Sequence, residues 1–579
     1  MISVDRRRFL ELGVAAGVVP PFARAQEPSS DLAIVNARMV TMDEATPEAE
    51  AALVRGGRIA LVGTTREVRS EAGSAQELDV NGRVVVPGFV DAHAHFELTC
   101  LGASFQAACH TPPYASLREI VKVLASKASD TPRGRWVIGR GSFGMREKLE
   151  ERTLPTRHDL DAVTTEHPLI LFSGLHVAMM NTRGLQELGL WDRNPPRGVR
   201  VLREPSGQPS GIATEVWDLL PGYPIADVRE AVRAHAKEIF ISKGTTSLST
   251  IPFSSDDVRA DQELQSEGQL PLRLRVYYHV PRVISLESLL ATGLLSGAGD
   301  DMFRYGGIKI FVNGTTSDGL GNAIEDFKWT EEELNDFVSR AHDAGIQLIM
   351  HVLSRDAMLM AAAAVEQALQ RHPKPHRPHR DRLEHGGDRL DALEDMRRLK
   401  AAGIRVVCTP HFARRPGTAS RVPRFRTMVE EGLEPIAVTD TTGTVPEASG
   451  PLFNIACAMT PKADGGAAPS AEESLSFEEA LKMHTLSGAF GGFEERDKGS
   501  IALGKLGDFA VLSADPRGRP GKEVFGIEVE ATILGGKVVF ERITQRRPGE
   551  QVLLEDSRGS WLERYGGVSA ASSLRGRNR

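Results

Sequence analysis

Little in this sequence suggests a stapled, membrane-bound or nucleic-acid-binding protein. Only four cysteines occur in 579 residues, so a disulfide framework is excluded and a hydrophobic core must carry the fold. Cys100 and Cys109 are close enough in sequence to pair; the plainer expectation is four buried thiols. Basic residues are not in excess: 70 Lys and Arg face 77 Asp and Glu, for a net charge of −7, which excludes a general nucleic-acid binder. No apolar run approaches the ~18 residues that a membrane span needs. Phosphate-cradling GxxxxGK[ST] and strand-linked GxGxxG motifs are missing. The one stretch reminiscent of a serine elbow, Gly139-Arg140-Gly141-Ser142, lacks the elbow spacing. Composition is otherwise globular, with 41% hydrophobic and 25% charged residues.

The first 25 residues read as an address. Arg6 and Arg7 precede Phe9 and Leu10, a modest apolar run follows from Leu12 to Val19, and Ala23-Arg24-Ala25 is a small-x-small cleavage site. The layout is that of a Tat-type signal peptide, which predicts export of the folded protein to the periplasm, or outside the cell, through the Tat translocon. Loss of this segment's net +2 would take the chain from −7 to −9.

Beyond it, β patterning brackets an α/β centre. Residues 51–63 are two apolar runs around Gly56-Gly57, and 530–540 repeat that form around Gly535-Gly536, both hairpin signals. We therefore expect a small β-sandwich made from both chain ends, residues 26–85 and 491–550, with a flexible tail over 551–579. Strand candidates lie at 84–90, 168–175, 245–250, 272–279, 307–312, 346–351, 380–385, 404–409 and 435–440. Helical patterns at 331–344, 355–371, 389–402 and 477–487 fall among them. Such βα alternation predicts a (β/α)8 TIM-like barrel over 86–490, with an insertion at about 100–165 over its mouth. The run HPKPHRPHR at 372–380 reads as a solvated linker.

The chemistry is concentrated at strand ends. In Asp91-Ala92-His93-Ala94-His95, the two histidines are two residues apart and so face one side of a strand. Imidazole is a common zinc ligand. Lys309 lies within GIKIF, His351 closes IQLIM, His385 closes RDRLE and Asp440 closes PIAVT. Barrel enzymes place their catalytic groups at these carboxyl ends of strands.

The sequence resembles the metal-dependent amidohydrolase superfamily, and most of all the branch containing N-substituted formamide deformylase. The stretches that carry the likeness run through nearly the whole chain: VPGFVDAHAH (86–95), LPTRHDLDAV (154–163), HVAMMNTRGLQELG (176–189), GQPSGIATE (207–215), RLEHGG (382–387) and GSIALGKLGDFAVL (499–512). The resemblance implies one or two divalent metals, zinc foremost. His93 and His95 would hold the more buried ion and His351 and His385 the second. Lys309 would be N6-carboxylated to bridge them, since an ammonium has no lone pair to offer. Asp440 would bind metal and serve as general base. His176 would hydrogen-bond the substrate carbonyl, with Asn181, His411, Arg140, Phe143 and Trp217 as further substrate contacts.

Departures from the branch fall beside these positions. Ser354-Arg355 replaces Gly-Asp after the fifth-strand His, Asn313-Gly314 replaces Asp-Gly, Thr409-Pro410 replaces Gln-Pro, and Val438-Thr439-Asp440 replaces Gly-Ser-Asp. All proposed ligands survive, but specificity does not transfer, deformylation least of all. The reading is a hydrolase of a linear or cyclic amide. One alternative is the same site acting on an ester, lactone or carbamate; another is a catalytically silent periplasmic binding or regulatory protein. The expected partners are a small-molecule substrate, the translocon and a second copy in a homodimer.

Overall fold

The computed structural model describes residues 31–372, 379–414, 423–441, 446–461 and 471–542. The expected signal peptide and tail lie outside the described residues.

Eight parallel strands form a nearly closed barrel. They are β1 (Phe89–Ala94), β2 (Thr245–Thr250), β3 (Arg273–His279), β4 (Phe303–Phe311), β5 (Leu348–His351), β6 (Arg382–Glu384), β7 (Arg405–Cys408) and β8 (Ile436–Ala437). They pair in chain order, each with the next. The seam between β8 and β1 closes just past the strands, where Asp440 N donates to His93 O at 3.0 Å and His95 N to Thr441 O at 3.3 Å.

Helices cover the outside. Thr330 and Glu333 cap the helix Glu331–Asp343 reciprocally: the Glu333 N–H donates to Thr330 Oγ1 at 3.2 Å and the Thr330 N–H to Glu333 Oε2 at 2.7 Å. Ser354 caps the next helix, Arg355–Arg371. Its Ala357, Ala361, Ala364 and Ala368 recur at helical spacing and are fully buried, which lets it pack closely on the barrel.

The sandwich is built from both ends as expected. Val84–Pro87 pairs antiparallel with Phe509–Leu512, which continues to Val529–Leu534 and Lys537–Glu541. The apolar run at 84–90 serves two domains. Val84–Pro87 belongs to the sandwich and Phe89 opens β1, with Gly88 between them. A Cβ on Gly88 would lie 2.3 Å from Thr246 Oγ1, so only glycine allows the crossing.

Two expectations change. The insertion is larger than 100–165: a separate six-stranded sheet runs from Ala107–Ala108 to Pro209–Thr214. The stretch 168–175 belongs to that sheet as Leu169–Ser173, pairing with Val137–Gly141 and Val177–Met180, so the barrel closes without it. Cys100 and Cys109 form no disulfide and are buried in different apolar clusters, and Cys408 and Cys457 are buried as well. The linker expected at 372–380 is described only at its two ends, with His372 exposed at one and Arg380 held to the fold at the other. Arg380 lies 3.6 Å over the Phe490 ring and pairs with Glu495 at 2.8 Å. Among the described residues no helix is long and apolar enough to cross a membrane.

Candidate metal centre

Strand ends bring the expected ligands together. His93 lies in β1 with His95 just beyond, Lys309 lies in β4, His351 ends β5, His385 follows β6 and Asp440 follows β8. All six line one small cavity, together with Phe143, Leu175, His176 and Phe311. His93 Nε2 is 3.6 Å and His95 Nε2 3.5 Å from Asp440 Oδ1, and His385 Nε2 is 4.0 Å from Oδ2. The His351 ring lies 4.9 Å from that of His385 and 5.1 Å from that of His176. A larger cleft adjoins this cavity and shares Phe143, His176 and His385 with it, which gives a route to solvent.

These residues fit a divalent ion. Lys309 Nζ and His351 Nε2 are buried with no hydrogen-bond partner, a costly arrangement unless something else binds them. The His93 Nδ1–H donates to Glu384, and His385 Nδ1 bonds Thr409 Oγ1 at 3.0 Å. The first bond leaves the His93 Nε2 lone pair turned toward Asp440, and the second fixes the His385 ring with its Nε2 on the same carboxylate side. Burial, then neighbouring Lys309, pushes His93 down to about 4; burial, then nearby imidazoles, carries His351 well below its usual range. Neutral imidazole is the ligating form. Burial alone would raise Asp440, but His95, His385 and His93 hold its carboxyl far below the usual carboxylate range. Lys309 is pushed down to about 8, by burial against the opposing pull of Glu384 and Asp440. Its neutral amine is therefore accessible near physiological pH.

Several supporting groups were not singled out from the sequence. Glu384 accepts from His93 and from Arg382, whose Nε lies at 2.8 Å. Glu215 accepts from His176 Nδ1 at 3.0 Å and from the Thr315 N–H at 2.7 Å. Burial would raise Glu215, yet His176 and Lys328 hold it at about 2. Asp91 accepts from the Thr439 N–H (3.1 Å) and hydroxyl (2.5 Å), tying β1 to the segment that carries Asp440. Glu384 and Glu215 stand inside stretches that carried the resemblance, RLEHGG and GQPSGIATE, but only the fold reveals their partners.

The proposed substrate contacts divide. His176 and Phe143 line the cavity. A Cβ on Gly174, whose φ is +73°, would meet Phe143 at 2.1 Å, so this glycine makes room for the ring. Asn181, Arg140, Trp217 and His411 line neither the cavity nor the cleft. Asn181 caps the helix Thr182–Glu187: its Oδ1 accepts from Gly184 N and Leu169 N, and its Nδ2 donates to Thr164 O and His167 O. Arg140 donates to Gln106 and Gly174 and lies over Phe172 inside the inserted sheet. Trp217 donates to Glu215 Oε2 at 3.2 Å and packs behind Phe311. His411 bonds Asn454 and meets Phe412, which in turn stacks on His385.

The departures from the branch are mutually consistent. Asn313 Nδ2 donates to Ser354 Oγ at 3.2 Å, so two of the changed positions bond each other. Arg355 pairs with Asp395 through two bonds, at 2.6 and 3.0 Å. Thr409 holds His385, and Thr439 holds Asp91. Gly314 is retained where a Cβ would lie 2.5 Å from Glu215 Oε1.

Fold and site together define a barrel hydrolase of the metal-dependent class. The chain belongs to the amidohydrolase family, whose profile matches residues 76–540. It is 28% identical over 546 residues to the N-substituted formamide deformylase of Arthrobacter pascens, covering 88% of this chain and 98% of that protein. Two solved structures described as uncharacterized metal-dependent hydrolases share the fold. The one from Pyrococcus furiosus has a TM-score of 0.62 and 21% identity, over 84% of this chain and 99% of that one. The one from Pyrococcus horikoshii OT3 has a TM-score of 0.64 and 20% identity, over 85% and 99%.

Proposed function

We propose that this protein hydrolyses an amide-type C–N bond in a small linear or cyclic amide, using zinc held by His93, His95, His351, His385, Asp440 and an N6-carboxylated Lys309. The observation that carries the proposal is the convergence of unpartnered Lys309 Nζ and His351 Nε2 with three more imidazoles and a carboxylate in one buried cavity. A bound divalent ion supplies Lewis acidity, polarising a carbonyl and lowering the pKa of water from about 15.7 toward about 7. Asp440 takes the attacking water's proton on its carboxylate and returns it to the leaving nitrogen, a role worth about 10²–10⁴-fold.

His176 hydrogen-bonds the oxygen on which charge develops. Its Nδ1 bonds the Glu215 carboxylate at 3.0 Å, which holds the ring in place at the cavity wall. Phe143 and Phe311 wall the cavity against bulk water. Lys309 forms its carbamate as a neutral amine: nitrogen bonds to CO₂ carbon and one proton leaves to solvent.

An amide is preferred to an ester, lactone or carbamate because one relative similar over nearly the full length is named a formamide deformylase, and because Asp440 is placed to protonate a basic leaving group. The site changes at Asn313, Ser354 and Thr409 argue against assuming a formamide. The twin-arginine layout of residues 1–25 supports work in the periplasm after Tat export. The test is a screen of metal-quantified protein against amides, lactams, esters and carbamates, with Asp440→Ala alongside. Amide or lactam turnover that disappears in Asp440→Ala supports the reading. Turnover confined to esters or lactones would move it to that class. Unchanged activity in Asp440→Ala would refute the mechanism.

A further inference from the structure

A second group of ligand-type side chains lies at the opposite end of the barrel. His342 is in the last turn of the helix Glu331–Asp343, while His379 and Asp381 lead into β6. The four-residue rise from Asp381 to His385 separates this group from the cavity above by about 13 Å.

One carboxylate oxygen organises it. Asp381 Oδ1 accepts the Leu348 N–H at 2.9 Å, which fixes the carboxylate and leaves Oδ2 to its other neighbours. His342 Nε2 hydrogen-bonds Oδ2, and His379 Nδ1 lies 3.6 Å from the same atom. The three ligand atoms all lie within 4.8 Å of one another. Asp381 is fully buried, and the two rings stand 5.5 Å apart.

A His–Asp hydrogen bond accounts for His342, whereas His379 reaches the same oxygen only at the longer 3.6 Å. Its Nδ1 is buried without a hydrogen bond, although the ring is turned toward the carboxylate. Its other nitrogen faces Gly403, where a Cβ would come within 3.3 Å. A cation accounts for all three groups. Tetrahedral sites with nitrogen and oxygen ligands at about 2.0–2.2 Å have ligand-to-ligand edges of about 3.3–3.6 Å. The His379–Asp381 edge already has that length, and His342 would move outward to match it.

The surroundings suit a positive ion. The carbonyl end of the helix Glu331–Asp343 points its negative pole there. Both histidines line an open cleft that admits water for a fourth position. The guanidinium groups on that cleft have partners: Arg275 pairs with Glu494, Arg304 with Asp301 and Arg380 with Glu495.

We propose that His342, His379 and Asp381 form a second metal site, independent of the barrel-mouth centre, that takes a zinc-class divalent ion and pins the helix Glu331–Asp343 to the start of β6. Two imidazoles and one carboxylate are ligands for such an ion rather than for calcium or magnesium. The amino-terminal face of a barrel is where residues serve stability rather than catalysis, so the role is structural.

The test uses full-length protein with the mouth site disabled by His93→Ala and His385→Ala, stripped of metal and titrated with Zn²⁺ against a chromophoric chelator. One ion per chain should remain, and Zn²⁺ should raise the melting temperature. Adding His379→Gln, at a partly exposed position where far-UV circular dichroism can verify the fold, should remove both effects; Asp381→Asn should do the same. No bound ion in the disabled background overturns the proposal. So does an ion that survives His379→Gln, which would be residual mouth binding. Loss of the ion with His376→Ala while His379→Gln is silent would assign it to the Pro/His/Arg run and equally overturn the site.

Discussion

Replacing Glu384 by glutamine should separate two tasks that one buried carboxylate performs. Glu384 accepts from His93 Nδ1 and takes two bonds from Arg382, at 2.8 and 3.0 Å. Both Glu384 and Arg382 are 0% exposed. Burial would raise the Glu384 carboxyl, yet Arg382 and His93 hold it well below the usual carboxylate range. Glutamine keeps the shape and removes the charge. Arg382 then becomes a buried cation without a counter-ion; removing one member of such a pair costs about 3–5 kcal/mol. Arg382 keeps its bond to Ala92 O (2.6 Å) and its place 5.3 Å from the Tyr277 ring, so we expect the lower end, about 3 kcal/mol.

The second effect falls on the metal. Without an anionic acceptor His93 becomes a weaker and less firmly oriented ligand, and affinity should fall about 10–100-fold. Urea unfolding of metal-free protein reads the first effect, and competitive zinc titration of folded protein the second. Arg382→Met combined with Glu384→Gln removes the orphan charge and should recover most of the stability while zinc affinity stays low. Wild-type urea stability in Glu384→Gln would refute the ion-pair argument. Wild-type zinc affinity in the double variant would show that Glu384 acts on His93 only by packing.

Other expectations are equally direct. Lys309→Ala should lose activity and regain part of it with a short carboxylate plus metal; full activity without either would refute the carbamate. In metal-free protein, stability should fall as pH drops from about 6.5 toward about 3, because burial holds His110 at about 4 and His484 at about 3 while the unfolded chain binds protons from about 6.5 downward. Urea midpoints at pH 7 and pH 4 check this, and His484→Leu should flatten the profile. Gly174→Ala should cost about 1–3 kcal/mol, since it combines a left-handed φ with a clash on Phe143. It should raise KM more than it lowers kcat, and an unchanged KM would show that Phe143 does not meet substrate.

The candidate ligands were legible because each lies within or just after a short strand-like run, Lys309 inside its run and the others toward the carboxyl ends, and the barrel turns that linear pattern into a ring. The inserted sheet was not legible for the converse reason. Leu169–Ser173 is buried at every position, as barrel strands are, so its composition carries no mark of the sheet it joins. Only its antiparallel partner Val177–Met180 separates the two cases. Asn181 shows a similar ambiguity: an asparagine just after a strand and before a helix is a good cap as well as a good ligand, and here Gly184 N decides.

A further feature of the site has no signature in the linear pattern. Glu215, His385 and Asp440 have positive φ angles of 62°, 64° and 46°, in a region that disfavours side-chain-bearing residues. Each such residue costs of order ~1–3 kcal/mol unless its surroundings impose it. Here they do: Glu215 N donates to His176 O at 2.9 Å, Asp388 N to His385 O at 3.1 Å and Asp440 N to His93 O at 3.0 Å. Two of these bonds join one site residue to another. Strain and its restraint therefore lie in the same few residues, and relaxing the backbone at any of the three would move a ligand or its partner. Local propensity fails where a side chain must leave its strand and turn into the cavity, which is where the chemistry requires it.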